Sequence, residues 1–281
     1  DATTRSTSTN TNHTYSNAGT YTVTLMSSNS AGCRDTLSKT IWVWPQASAS
    51  FTIAKDSQCL KGNNFQFTNT STISSGSIKR NKWKFSTVAS DTLIQLNANK
   101  KYPTEGNYLV YLYTKTNKGC NDTASKQVVV NPQTVISFTL NSDSQCLKGN
   151  NFSFTNGSSI SSGSITSYKW DFGDGSSPVT AQNTTHTYTT KGIYKVKLMT
   201  LNSFGCYDTL EKQIKVQPQS TPKYTINNDS QCVKGNSFTF TNTSTITSGK
   251  ISYSKWQYSS TSSDTLRQNT ITSTTKKYTS S

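Results

Sequence analysis

The sequence repeats itself at an interval of 86 or 87 residues. Three tryptophans and two series of cysteines mark the same positions in successive copies: Trp83, Trp170 and Trp256; Cys33, Cys120 and Cys206; Cys59, Cys146 and Cys232. A unit of this length can form a small domain with its own core, and it is far longer than the repeats of solenoid proteins. Any function therefore belongs to an array of similar domains.

Longer matching segments set the boundaries of the copies. The residues around one cysteine series read SQCLKGNNFQFTN at 57–69, SQCLKGNNFSFTN at 144–156 and SQCVKGNSFTFTN at 230–242. We divide the chain into the C-terminal part of a repeat (1–46), two complete repeats (47–133 and 134–219) and the N-terminal part of another (220–281). Because half a sandwich cannot bury its own core, we expect the sequence to come from a longer array.

Apolar and polar residues alternate along the segments that the copies share, for example at 108–112 and 194–198. A period of two is typical of strands with one buried face, and no segment shows a sustained helical period. Apolar residues make up 31% of the chain, which suits several small two-layer cores. The pattern predicts an all-β fold of about seven strands per repeat. We expect the following aromatic residues in the cores: Trp83, Trp170, Trp256, Tyr108 and Tyr194.

The third copy carries a motif that resembles a known domain. The run Trp170-Asp-Phe-Gly-Asp-Gly175, followed by Thr185-His-Thr-Tyr188 and Gly192-Ile-Tyr194, resembles the PKD (polycystic kidney disease) domain. That domain is an immunoglobulin-like β-sandwich of extracellular multidomain proteins. The resemblance implies tandem immunoglobulin-like sandwiches arranged as an extended rod.

The other copies match this motif less closely. The second and fourth copies keep the tryptophan but not the following turn, and we align Lys101 and Lys277 with His186. The N-terminal part has Asn12-His-Thr-Tyr15 and so matches the third copy. Two types of repeat therefore alternate along the chain.

Cysteines at fixed places in every copy indicate structural disulfides and an oxidising compartment. Metal sites use closely spaced pairs such as C-x-x-C, and the sequence has none. One solution pairs them within a repeat, Cys59 with Cys120 and Cys146 with Cys206. In an immunoglobulin-like sandwich, however, these loops lie at opposite ends, much farther apart than the roughly 7 Å that a disulfide spans between Cα atoms. In that case we expect Cys59 to reach Cys206 in the following repeat. The other four, Cys33, Cys120, Cys146 and Cys232, would bond to repeats outside or at the margins of this sequence. The sequence leaves both solutions open.

Enzyme chemistry is not predicted for this chain. Its two histidines, His13 and His186, occupy equivalent places and lack a repeated nucleophile with an orienting acid. Asp171 and Asp174 are the closely paired carboxylates, and we interpret them as parts of a tight turn. The alternative is a weak Ca²⁺ site, which would be the only cofactor, because hard cations take several carboxylate and carbonyl oxygens.

A second repeated motif is Asp-Thr followed by a small or apolar residue. It resembles the acceptor sequence of the general O-glycosylation system of Bacteroidota, which acts on exported proteins. The candidate sites are Thr36, Thr92, Thr123, Thr209 and Thr265. The competing interpretation is that Asp and Thr favour the turn that enters a strand and recur because the repeat recurs.

The chain is basic, with 28 Lys and Arg against 13 Asp and Glu and a net charge of +15. This charge favours acidic polysaccharides or anionic surfaces as partners. The cations are scattered and no nucleic-acid motif is present, so we do not predict nucleic-acid binding. No segment reaches the length of a transmembrane helix, so we do not predict direct membrane insertion.

An alternating row of small domains joined by short Pro-Gln junctions is suited to mechanical reach. The two-cysteine form of the repeat resembles those in very large surface proteins of gliding and adhesive Bacteroidota. The resemblance implies a structural or adhesive segment of an extracellular filament on a bacterial surface, with neighbouring repeats and carbohydrate-rich surfaces as partners. The alternatives are accessory PKD modules of a secreted enzyme that degrades polysaccharide or protein, and a spacer without a ligand.

Overall fold

A computed structural model describes residues 10–87, 90–258, 265–268 and 273–278. Every regular element within these residues is a β-strand, which confirms the all-β prediction. No helix in the described chain is both long enough and apolar enough to span a lipid bilayer. The chain forms two compact units, Asp1–Gln133 and Thr134–Ser281.

The first unit begins with a long antiparallel hairpin of β1 (Gly19–Ser28) and β2 (Arg34–Val43), paired along its whole length. One face of this hairpin carries the alternating apolar residues, yet it is open: Val23 is 46% and Leu25 is 69% exposed. The matching residues Val110 and Leu112 of the second repeat are 0% exposed. The hairpin has the sequence of a half-buried strand pair without the sheet that covers it in a complete repeat.

The second repeat is a sandwich of two sheets. Its strands are β3 (Phe51–Ile53), β4 (Ser57–Cys59), β5 (Phe65–Asn69), β6 (Ile78–Lys84), β7 (Thr92–Ile94), β8 (Ala98–Lys100), β9 (Gly106–Thr116) and β10 (Asn121–Asn131). One sheet has the order β3-β5-β8 and the other the order β4-β10-β9-β6-β7. All neighbours are antiparallel except β4, which runs parallel to the last residues of β10.

The third repeat has the same architecture. Its strands are β11 (Phe138–Leu140), β12 (Ser144–Cys146), β13 (Phe152–Asn156), β14 (Ile165–Asp171), β15 (Thr184–His186), β16 (Gly192–Asn202) and β17 (Tyr207–Gln217). The sheets are β11-β13-β15 and β12-β17-β16-β14. An isolated bridge between Trp170 and Val179 stands where the second repeat has β7. Tandem immunoglobulin-like sandwiches are thus confirmed.

An aromatic cluster fills the space between the two sheets of each complete repeat. Trp83 and Trp170 are both 0% exposed. Trp83 packs edge-to-face on Phe51, and Trp170 packs in the same way on Phe138, each with ring centroids 5.1 Å apart. Each indole N–H donates to a backbone carbonyl, at 3.1 and 2.9 Å. The largest apolar side chain is therefore buried with its polar atom satisfied.

Tyr108 and Tyr194 lie at the edge of the core and are half-buried. Each hydroxyl donates to the backbone carbonyl four residues earlier, Tyr108 to Thr104 at 2.9 Å and Tyr194 to Thr190 at 2.8 Å. Their rings stack on the buried residues Tyr102 and Tyr188, respectively. These tyrosines close the core and fix the corner that precedes their strand.

The segment 220–278 forms part of a third sandwich. Its strands are β18 (Ser220–Thr221), β19 (Tyr224–Ile226), β20 (Phe238–Asn242), β21 (Thr245–Ile246), β22 (Ser254–Gln257), β23 (Thr265–Gln268) and β24 (Ser273–Lys276). Trp256 is only half-buried here and lines an open cavity of about 570 Å³ together with Phe240 and Tyr258. The segment has no counterpart of the β9–β10 hairpin, whose residues cover Trp83 in the second repeat.

A buried asparagine holds the two halves of each sandwich together. In the third repeat, Asn150 Nδ2 donates to the carbonyls of Leu147 and Tyr188, at 2.7 and 2.9 Å. The N–H of Tyr188 donates back to Asn150 Oδ1 at 2.7 Å. Asn63 makes the same three bonds in the second repeat. Because the amide joins groups 38 residues apart, it replaces main-chain pairing that the sheets do not supply.

Replacing this amide should open the third repeat locally. Asn150→Ala leaves the N–H and carbonyl of buried Tyr188 without partners, which we expect to cost about 2 to 4 kcal/mol. Hydrogen–deuterium exchange with mass spectrometry on peptides of residues 134–219 should show this loss of protection, while peptides of the second repeat keep theirs. Asn151→Ala, at the adjacent exposed side chain, is the matched control. Equal protection in the two variants would contradict the role of the amide.

Candidate functional site

The motif turn of the third repeat follows β14 and is held by its own hydrogen bonds. Asp171 Oδ1 accepts the N–H of Gly173 at 3.0 Å, and Asp174 Oδ1 accepts the N–H and the hydroxyl of Ser176 at 3.1 and 2.6 Å. Gly173 has φ +73°, and a Cβ on it would lie 2.7 Å from the backbone oxygen of Lys195. Only glycine satisfies both the backbone angle and the space.

The second carboxylate oxygen of Asp174 is bound by a histidine. Nε2 of His186, on β15, lies 2.7 Å from Asp174 Oδ2. The imidazole stacks on Phe172 with ring centroids 3.9 Å apart and an interplanar angle of 5°, and it meets Tyr188 edge-on at 4.7 Å. Because Phe172 and Tyr188 are buried, this contact ties the surface turn to the core.

The hydrogen bonds at this turn also change acidities. Burial alone raises the pKa of Asp174, but hydrogen bonds from Ser176 and His186 outweigh it and hold the pKa of this carboxyl below its usual range. Burial raises the pKa of the Tyr188 hydroxyl, and the nearby charge of Asp174 raises it further. That hydroxyl donates to the carbonyl of Phe172 at 2.9 Å. The turn therefore favours an ionised aspartate beside a neutral tyrosine.

Both candidate Ca²⁺ ligands have oxygens engaged within the turn. One oxygen of Asp171 is hydrogen-bonded to Gly173, and the two oxygens of Asp174 are hydrogen-bonded to Ser176 and His186. Among residues 10–87, 90–258, 265–268 and 273–278, no three His, Cys, Asp or Glu side chains come together as a metal site requires. The arrangement serves the turn, and the Ca²⁺ site stays a prediction from sequence alone.

The second repeat holds its different turn with a lysine in place of the histidine. Strand register pairs Phe65 with Lys100, as it pairs Phe152 with His186. Lys100 forms a salt bridge with Asp91, and its Nζ lies 5.5 Å from the centroid of the Phe85 ring.

The alignment of His186 with Lys101 and Lys277 is therefore wrong by one residue. The equivalent residues are Lys100 and, opposite Phe238 on β24, Lys276. Each stands two residues before the tyrosine that the buried asparagine binds, Tyr102 or Tyr278. Counting back from that tyrosine gives the correct residue.

The two cysteines of each complete repeat lie at opposite ends of one strand. Cys59 is paired with Asn131, the last residue of β10, whereas Cys120 directly precedes Asn121, the first. Ten steps of about 3.4 Å separate these ends by roughly 34 Å, which no disulfide spans. Cys146, opposite Gln217, and Cys206, before Tyr207, have the same relation on β17.

The structure does not contain the pairing within repeats, because Cys120, the partner expected for Cys59, and Cys146, the partner expected for Cys206, are both free. Cys59 and Cys206 are disulfide-bonded, and Cys33, Cys120, Cys146 and Cys232 are free thiols. All six cysteines of the chain are among the described residues. The two bonded cysteines are 147 residues apart in the sequence.

Comparison with known proteins gives the family of this fold. The PKD domain family matches residues 1–43 and 135–217. The PKD1 domain of Vibrio anguillarum Epp is 30% identical, with 31% of this chain and 95% of that domain covered and a TM-score of 0.28. The PKD1 domain of the Vibrio cholerae metalloprotease PrtV is 36% identical, with 31% of this chain and 98% of that domain covered and a TM-score of 0.27.

The chain belongs to the PKD domain family. The pre-pro-metalloprotease PrtV of Vibrio cholerae is also 37% identical over 102 residues, which are 36% of this chain and 11% of that protein. The chain thus spans only a small part of the length of this relative. The similarity concerns PKD repeats and not the remainder of the protease.

The segment that leads into the second PKD repeat is tied to that repeat's β9–β10 turn. Gln46 Nε2 donates to the carbonyl of Asn121 at 2.7 Å, and the N–H of Ala49 donates to Asp122 Oδ2 at 2.7 Å. Nζ of Lys118, in the same turn, lies 4.2 Å from the centroid of the Trp44 ring. The chain thus enters the repeat beside Cys120 and leaves it beside Cys59. We call these the leading and trailing ends of the repeat.

The Asp-Thr motif has a local structural role. Asp35 and Asp208 each accept the N–H of the threonine that follows, at 2.8 Å, and Asp122 accepts the N–H of Ala49. Thr36, Thr123 and Thr209 are exposed near the start of the second hairpin strand, whereas Thr92 is half-buried in β7. The side chain of Thr265 lies outside the described residues. O-glycosylation at these threonines stays a prediction.

Two contacts of the PKD repeats were not predicted from the sequence: the buried asparagine and the link between Asp122 and Ala49. The buried asparagine is present in the second, third and fourth copies, as Lys-Gly-Asn at 61–63, 148–150 and 234–236, so its repetition was a usable signal. The link between Asp122 and Ala49 leaves no such signal, because its partner is a backbone N–H in a segment of variable sequence.

The stability of the third PKD repeat should fall in acid through Asp174. Its pKa is lower in the folded state than in the unfolded state, so it stabilises the fold above the unfolded pKa and loses that contribution as pH falls through the folded pKa. Exchange protection of residues 134–219, followed from about pH 6 to about pH 2, should decline less in Asp174→Asn than in the parent chain. Asp143→Asn, at an exposed aspartate of the same repeat, is the control. Identical pH profiles for parent and Asp174→Asn would rule out this contribution.

Proposed function

We propose that this chain is a structural and adhesive segment of a long extracellular filament, of the gliding or attachment type found on bacterial cell surfaces. The observation that carries the proposal is the polarity of the second PKD repeat, in which the chain enters at one end of β10 and leaves at the other. Repeats of this kind add length one after another. Their turns use carboxylates and histidine for internal contacts, which supports a mechanical and not a catalytic role.

A disulfide between successive PKD repeats would make such an array resist extension. Cys59 lies at the trailing end of one complete repeat, and Cys206 follows β16 at the opposite end of its strand pair from Cys146. No other pair from the two cysteine series is 147 residues apart. The equivalent partner would lie 147 residues earlier for Cys33 and Cys120, and 147 residues later for Cys146 and Cys232. These positions fall before residue 1 or after residue 281. Spacing, position and oxidation state together support a Cys59–Cys206 link.

Peptide mapping without reduction tests this link. We expect a peptide pair that joins Cys59 to Cys206, with the other four cysteines open to alkylation in the 281-residue chain. Cys59→Ser should release Cys206 as a thiol, whereas Cys146→Ser should leave the peptide pair unchanged. Recovery of Cys59 bonded to Cys120 would disprove the link between repeats.

The shape of the chain in solution tests the filament proposal itself. A single globule of 281 residues has a radius of gyration of about 19 Å. Successive repeats, each roughly 34 Å long, should give a clearly larger value and an elongated distance distribution in small-angle X-ray scattering. Negative-stain images should show beads at regular spacing. A radius of gyration near that of a globule would refute an extended array.

The relationship to PrtV supports a second candidate function. A PKD domain also occurs in that metalloprotease, so these repeats would serve as accessory modules that help an enzyme to bind its substrate. Alternation of two repeat types favours the filament, because an accessory role requires only one or a few copies. The complete gene decides between them: a catalytic domain in the same polypeptide supports the accessory role, and many further repeats support the filament.

A further inference from the structure

The outward face of the five-stranded sheet in the second repeat is both basic and aromatic. Trp83, Val110 and Leu112 point inward and are buried, so the residues between them on β6 and β9 point outward. Register places Arg80 beside Lys115, Lys82 beside Tyr113, and Lys84 beside Tyr111. Two tyrosines and four cations thus form three adjacent rows, which we call the Lys-Tyr face.

The two tyrosines form one continuous aromatic surface. The ring centroids of Tyr111 and Tyr113 are 6.0 Å apart and their planes differ by 21°. Tyr113 is 36% exposed. Leu109, two residues before Tyr111 on the same face of β9, is 46% exposed. Exposed aromatic rings side by side offer the amphipathic surface on which the C–H faces of sugar rings pack, with hydroxyls at the rim for hydrogen bonds.

The charge of the Lys-Tyr face is not balanced by acids. The five strands of this sheet contain one carboxylate, Asp122. Asp122 accepts the N–H of Ala49 and pairs with buried Thr114, so it belongs to the inward side. The cations Arg80, Lys82, Lys84 and Lys115 therefore present an uncompensated positive field to solvent, which attracts an anionic partner.

The third repeat shows that this face is not required by the fold. At the matching positions it has Lys197 and Met199 in place of the two tyrosines. Asp171 stands opposite Lys197, and Lys195 forms a salt bridge with Glu211 at 3.0 Å. Arg80, Lys84 and Lys115 correspond to Ser167, Asp171 and Leu201. Lys82 alone keeps a cation at its matching position, Lys169, so the same scaffold occurs without three of the four cations and without the aromatic pair.

We propose that the Lys-Tyr face binds an acidic polysaccharide, a polymer whose sugar rings carry carboxylate or sulfate groups. This proposal rests on the extracellular function proposed above and names its partner class. Rows of side chains along a strand are about 7 Å apart and strands are about 4.8 Å apart, so cations flank the tyrosine pair at distances that suit acidic groups on successive sugars. Single-stranded nucleic acid also combines anions with flat rings, but disulfide-bonded Cys59 and Cys206 indicate an oxidising compartment, which favours the polysaccharide.

Affinity electrophoresis in gels that contain polygalacturonate tests the proposal. We expect the 281-residue chain to be retarded by polygalacturonate and not by neutral dextran, and less so as salt rises. Tyr111→Ala with Tyr113→Ala should weaken binding by about tenfold or more, and Tyr111→Phe with Tyr113→Phe should retain it. The matched control in the third repeat, Lys197→Ala with Met199→Ala, should leave the retardation unchanged.

A charge-matched pair of variants separates a defined face from net charge. Retardation should be abolished by a triple variant of the face, Arg80→Gln with Lys84→Gln and Lys115→Gln. A second triple variant removes the same charge elsewhere and should keep it: Lys55→Gln with Lys101→Gln and Lys148→Gln. Equal losses in these two triple variants, no retardation of the parent chain, or tighter binding to a single-stranded oligonucleotide would each overturn the proposal. An elongated shape in scattering with no polysaccharide binding would leave the filament standing and remove only the Lys-Tyr face. Exchange protection around Trp83 shows that each variant is folded.

Discussion

The burial of one tryptophan between two small sheets is the interaction on which each repeat depends. Apolar residues are scarce in this chain, so a single aromatic cluster supplies most of the burial in each sandwich. Where the covering hairpin is missing from the sequence, as in 220–278, Trp256 lines an open cavity. Where the covering sheet is missing, Leu25 of the β1–β2 hairpin is 69% exposed. The two halves of a repeat therefore stabilise each other, and neither forms a core alone.

Much of this fold was readable from the sequence, because a fixed period and a strand period of two both come from packing. The tryptophan position, the alternation on β9 and β16 and the tight turn at Asp174 all follow from side-chain chemistry along one strand or turn. The residue equivalent to His186 was misplaced by one position, since the variant repeats differ in loop length. The register opposite Phe65 and the spacing to Tyr102 both show that Lys100 occupies its place. The Lys-Tyr face was equally hidden. Its residues come from separate strands, and their proximity depends on the pairing of β6 with β9.

The two repeat types solve one structural problem with different chemistry. Each must fix a long turn onto the aromatic core beside β8 or β15. The third repeat uses a stacked imidazole that binds Asp174, and the second uses an ammonium near Phe85 that binds Asp91. The alternation therefore places chemically different contacts in neighbouring domains while the sandwich stays the same.

The same alternation bears on how an array of these repeats would hold a surface. Residues Thr24 and Met26 of the first hairpin stand where the second repeat has Tyr111 and Tyr113, so the hairpin resembles the third repeat in lacking the aromatic pair. The fourth copy has Tyr253, Lys255 and Gln257 in place of Arg80, Lys82 and Lys84, so within this sequence the complete set of β6 cations occurs only in the second repeat. Individual contacts between exposed rings, lysines and sugars are weak and screened by salt. If such faces recurred along a covalently linked row, binding at one would make binding at the next an intramolecular event at high effective concentration, and avidity would arise from repetition instead of from a single tight site.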